Sequence, residues 1–85
     1  MSISLSPILD EVKNEALGAG RIWPAFNSAH EGFSVLAEEV DELWAWVKTN
    51  QKRRDIAAMR KEAIQVAAMA VRFVADICNE ERGRK

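Results

Sequence analysis

Glu38-Glu39-Val40-Asp41-Glu42 concentrates four carboxylates in five residues. On a helix, Glu39 and Glu42 are three apart and Glu38 and Glu42 four apart, so each pair shares a face. Like charges at such spacings repel by roughly 0.2–0.5 kcal/mol per pair. A bound cation would turn that repulsion into ligation. Several carboxylates with no His or Cys among them suit a hard ion, Mg2+ or Mn2+, rather than Zn2+. Taken alone, the segment has a plain alternative, a solvated acidic face. About twenty residues later, Glu62 and Gln65 stand three apart on a second stretch of helical pattern. Two antiparallel helices would bring these groups to the first cluster.

The elements that must do this are legible in the pattern. Ser28-x-x-Glu31 is a capping box and opens a helix. Its apolar stripe is Phe33, Leu36, Val40, Leu43, Trp44 and Val47. At about 100° per residue, Val35, Glu39, Glu42 and Trp46 form a separate stripe on the flank, while Asp41 and Lys48 point outward. Asp55 is the expected N-cap of the next helix. Its seam is Met59, Ala63, Val66, Ala70, Phe73 and Ile77, spaced four and three apart as in bundle packing. Glu62, Gln65, Met69, Arg72 and Asp76 run beside it. Both long helices thus carry an apolar seam flanked by a mainly acidic stripe, and this shared design pairs them around a metal site. A short N-terminal helix is expected from Ser6-Pro7, with Ser6 as cap, to Gly18 and Gly20. The loop from Arg21 to Asn27 is apolar, and Trp23, Pro24 and Phe26 must pack on the core or on the rim of a site.

Composition bounds the partners. Eighty-five residues make a single domain (1–85), and 48% of them are hydrophobic. So small a chain is marginal alone, so self-association is expected. A net charge of −1 gives no general attraction to nucleic acid or to a membrane surface. Cys78 is alone, which excludes a disulfide framework and a cysteine metal site. Met1 to Leu9 has no signal-peptide pattern, and the weakly polar run from Ala63 to Ile77 is too short to span a bilayer. A soluble cytoplasmic chain is expected. Residues 79–85 read as a frayed charged tail.

The pattern Glu-Glu-x-x-Glu, a gap of about twenty residues, then Glu-x-x-Gln at Glu62 to Gln65 resembles the signature of the MazG-like all-α nucleoside triphosphate pyrophosphatases. The stretches Phe26-Asn27-Ser28-Ala29-His30-Glu31-Gly32-Phe33 and Gln65-Val66-Ala67-Ala68-Met69-Ala70 are similar to the compact, integron-cassette type of that family. The resemblance covers about Trp23 to Ile77. It implies an all-α antiparallel hairpin that dimerises into a four-helix bundle, with a dimer of dimers open. It also implies Mg2+-dependent hydrolysis of a nucleoside or deoxynucleoside triphosphate to the monophosphate and pyrophosphate, as nucleotide-pool house-cleaning. By motif match, Glu39, Glu42 and Glu62 are metal ligands. Glu38 is either a further ligand or the group that orients the attacking water. Gln65 departs from the family, which has Asp there, and can offer only a carbonyl oxygen. Asp76, about three turns along the same stripe, could take up part of its load.

Substrate contacts are less specified. Lys48, Lys52, Arg53 and Arg54 could grip phosphates, or simply cap a helix C-terminus. Trp46, on the acidic stripe, could stack on a base, whereas Trp44 reads as packing. Trp23 and Phe26 could wall a pocket. His30 and Asn27 could touch substrate, with a surface role and a loop role as their respective alternatives. Three functions stay open: the pyrophosphatase, a nucleotide-binding protein inactivated by Gln65, and a helical oligomerisation module without a site.

Overall fold

The computed structural model describes residues 4–49 and 51–79. Among these residues are three α-helices: α1 (Ser6–Ile22), α2 (Ala29–Val47) and α3 (Ile56–Phe73). A 3-10 turn at Gln51–Arg53 links α2 to α3, and α3 runs on into a π-helical turn at Val74–Cys78. The described residues contain no strand. No helix among them is long and apolar enough to cross a membrane. The expected tail lies outside the described residues except for Asn79, which caps the π turn.

Local chemistry sets the starts of α2 and α3. Ser28 Oγ accepts from Glu31 N at 3.1 Å, and Asp55 Oδ1 accepts from Ala58 N at 3.0 Å. The capping box is modified, because the Glu31 carboxylate accepts from Asn27 N (3.0 Å) and Asn27 Nδ2 (3.3 Å). At the far end of α2, Arg54 Nη2 donates to Val47 O at 2.7 Å, which satisfies a terminal carbonyl.

The N-terminal helix is not short. α1 has 17 residues and passes through Gly18 and Gly20 to an extended C-cap at Trp23. Nothing lies within 4 Å of a side chain added at either glycine, and a glycine in a helix costs only about 1 kcal/mol. Leu5, not Ser6, stands at the N-cap, without a side-chain hydrogen bond.

α1 runs parallel to α3. Early in both helices Glu11 pairs with Arg60, whose Nη1 donates to Glu11 Oε1 at 2.6 Å. Val12, Phe26, Ala68 and Met69 form the buried core, with Ala68 fully enclosed. α2 returns antiparallel against the other flank of α3. The two approach closely at Gly32, where an added Cβ would lie 2.8 Å from Phe73 Cδ2 and 3.0 Å from Phe26 Cδ2.

The packing keeps part of each expected stripe inside, with Leu36, Leu43 and Val47 on α2 and Met59, Val66, Phe73 and Ile77 on α3 half-buried, and turns the rest outward. On α2, Phe33 (64% exposed), Val40 and Trp44 (56%) face solvent, and the stripe of Val35, Glu39 and Trp46 turns inward, half-buried. On α3, Ala63 and Ala70 of the expected seam are exposed, whereas Met69 and Arg72 of the polar stripe are buried. The reason is steric and electrostatic. Gly32 lets α2 pack closely on that side, and Arg72 has partners inside that only the inward facing supplies.

Candidate metal centre

Arg72 anchors the loop that launches α2. It is 7% exposed, and such a buried cation needs partners. Its Nη2 donates to Pro24 O at 3.0 Å and lies 3.8 Å from Asp76 Oδ2, while its guanidinium stacks 4.7 Å from the Phe26 ring centre. Asp76, carried by the π turn, accepts from Phe26 N at 3.0 Å. The 23–27 loop is therefore tied to the end of α3. This fixes the start of α2, and with it the rotation that carries Glu39 inward.

With α2 so set, Glu39 and Glu42 face Glu62 across the α2–α3 interface. One carboxylate oxygen from each lies within 4.8 Å of the others. Glu39 and Glu62 are half-buried and Glu42 is exposed, so the cluster opens to solvent through Glu42. Burial first, then the charge and hydrogen bond of Glu42, then the charges of Glu62 and Glu38, push the Glu39 carboxyl up from 4.5 to about 7. Burial and the neighbouring Glu42 also raise Glu62, partly offset by Lys61. Glu42 contributes to both shifts, and Glu39 keeps its proton up to about pH 7. Three converging oxygen donors that hold a proton against their own repulsion have the donor chemistry for a hard divalent cation.

Gln65 stands one turn after Glu62 on the same face. Assigning its amide so that donor meets acceptor turns the nitrogen toward the cluster. Nε2 is then 3.1 Å from Glu39 Oε2 and 3.2 Å from Glu62 Oε2. Glu38 is exposed and borders a cavity of about 390 Å³ whose other walls include Trp23, Pro24, Phe26, Val35 and Arg72. Trp23 is exposed on its rim, and Phe26 is buried in its wall. The cavity thus begins one residue from the metal candidates. It is large enough for a small ligand.

The other expected site residues divide. Trp46 is half-buried, on the same stripe as half-buried Glu39 and exposed Glu42. Asp76 is engaged by Arg72 and Phe26 N and stands outside the carboxylate cluster. His30 and Lys48 are each nine residues from Glu39, about 180° around α2 and so on its far side. Arg54 caps α2, Asn27 is held by Glu31, and Lys52 and Arg53 are exposed in the turn. Sequence reasoning gave Arg72 no role, although a cation four residues before Asp76 on a largely acidic stripe was a signal for an internal pair. Comparison with known proteins gives no match: no family model fits the chain, and no curated protein or solved structure is similar to it.

The raised Glu39 sets a pH dependence. Above the ordinary value of 4.5 the unfolded chain has released this proton, while the folded chain keeps it up to about 7. Stability therefore falls as pH rises through that window. In metal-free buffer, Tm is expected to fall between about pH 5 and about pH 8 more steeply in the wild type than in Glu39→Gln. Mg2+ should raise the wild-type Tm more at the upper pH, where the ion replaces the proton. Thermal melts across that range check this, and identical slopes in the two proteins would contradict it.

Proposed function

We propose that this chain is a Mg2+-dependent nucleoside triphosphate pyrophosphatase that works as a homodimer in the cytoplasmic nucleotide pool. The observation that carries the reading is the convergence of Glu39, Glu42 and Glu62 from two helices within 4.8 Å. These are the carboxylates that the MazG-like signature in the sequence designates as ligands. Glu39, Glu42 and Glu62 hold the ion through hard oxygen donors, and Mn2+ is an alternative occupant. A bound ion would supply positive charge to offset that developing as a phosphoric anhydride breaks. Glu38, on the rim between cluster and cavity, orients the attacking water. The cavity walled by Trp23 and Phe26 receives the base or sugar, by stacking at exposed Trp23. Water would add at a phosphorus of the α–β anhydride and give up a proton as that P–O bond breaks, and the products are the nucleoside monophosphate and pyrophosphate.

The test is pyrophosphate release from a panel of standard and modified nucleoside triphosphates, with and without Mg2+. Release is expected only with Mg2+ and should drop at least about a hundredfold in Glu39→Gln. Nucleotide binding without release from any substrate would favour the second reading, a binding protein. One observation points that way, the neutral Gln65 amide among the carboxylates.

The dimer rests on the outward apolar face. Phe33, Val40 and Trp44 lie about 100–140° around α2 from Glu39, and Ala63, Ala70 and Val74 about as far around α3 from Met69. In antiparallel helices these rotations bring both sets to one side of the hairpin, opposite α1. All six residues are exposed. A second copy presenting the same face across a twofold axis would bury it as a four-helix core, with the small Ala63 and Ala70 permitting close approach. Sedimentation equilibrium at tens of micromolar should give the dimer mass, and Trp44→Glu should shift it toward monomer. A monomeric wild type at that concentration would refute the assembly.

A further inference from the structure

We infer that Gln65 is a positioning residue that holds Glu39 and Glu62 together in the metal-free chain, and is not itself a metal ligand. The inference rests on the reading of Glu39, Glu42 and Glu62 as the ligand set. Gln65 belongs to α3, one turn beyond Glu62, yet with its amide assigned so that donors meet acceptors its Nε2 bridges to Glu39 of α2, at 3.1 Å from Glu39 Oε2 and 3.2 Å from Glu62 Oε2. An amide spends its two N–H bonds well here, because each points at a carboxylate oxygen and a charged acceptor makes the stronger hydrogen bond. With Nε2 on the carboxylates, Oε1 faces away from the oxygens that an ion would have to join.

The chemistry of the position follows from charge. Three carboxylates already crowd the interface. A fourth acid at position 65 would add repulsion and supply no donor. The neutral amide adds none, and places the positive end of its dipole between two acids that belong to different helices. Glu39 and Glu62 are thereby kept at ligating separation before any ion arrives. A site formed in advance loses less freedom on binding. The departure from an acidic residue at this position is therefore a change of role, from a donor of charge to a brace.

The experiment measures Tm of wild type and Gln65→Met near pH 8, in chelator and in saturating Mg2+. Methionine keeps the length and bulk but removes both N–H donors. In chelator, Gln65→Met should melt at least about 4 °C below wild type. In Mg2+ that gap should narrow by about half or more, because the ion now bridges the carboxylates. No gap in chelator, with a smaller Mg2+-induced rise in the variant, would instead make Gln65 a ligand and overturn the inference. An equal gap in both buffers would mark a packing role and overturn it too. The same comparison is made in the Glu39→Gln background, where one partner charge is gone; should Gln65→Met fail to fold, Gln65→Leu, which also lacks the N–H donors, replaces it in both backgrounds. With Glu39→Gln the deficit should shrink to less than about half its wild-type size, and an undiminished deficit refutes the brace. If Mg2+ leaves the wild-type Tm unmoved, the ligand-set reading has failed, and the chelator gap with its dependence on Glu39 still decides the role of Gln65.

Discussion

Like charge held between two packed helices is the constraint on which this structure turns. Glu39, Glu42 and Glu62 approach one another within 4.8 Å at the seam between α2 and α3. Helix pairs usually bury apolar stripes there. Repulsion and partial desolvation both oppose the arrangement, and the upward shift of Glu39 to about 7 expresses that opposition. The rest of the chain offsets it. Gly32 allows the helices to close near Phe73 and Phe26. The Arg72–Asp76–Phe26 network fastens the loop ahead of α2 to the end of α3. Gln65 inserts a donor between two of the acids. The proton that Glu39 keeps relieves part of the remainder.

The same rotation has a second consequence. Turning the acidic stripes inward turns Phe33, Val40 and Trp44 outward, opposite the side that α1 covers. Site and apolar face are therefore two results of one packing decision. A four-helix assembly through that face would leave the carboxylates and the cavity beside Glu38 open on the side of α1. The apolar interior is small, with Val12, Phe26, Ala68 and Met69 as its buried members among the described residues.

What could be read in the sequence was local or periodic. Ser28 and Asp55 announce helix starts because a capping side chain bonds only two or three residues ahead. The grouping of Glu39 with Glu42, and of Glu62 with Gln65, follows from three-residue spacing. Hidden from it was the choice of which stripe faces the partner helix. Periodicity locates an apolar arc but does not say whether the chain itself or a second molecule covers it, so Phe33, Val40 and Trp44 read as core. The length of α1 was hidden for a similar reason: Gly18 and Gly20 weaken a helix without ending it when the following residues still pay for the turn. The Arg72 anchor joins positions 48 and more residues apart, beyond any local pattern.

Carboxylates from both helices are proposed to act together on one cation. Mn2+ binding followed by electron paramagnetic resonance tests it most directly, on the wild type and on Glu42→Gln and Glu62→Gln separately. Binding to the wild type that weakens at least about tenfold in each variant is the result this account predicts. No binding to the wild type at millimolar Mn2+, or binding that Glu62→Gln leaves intact, would contradict it.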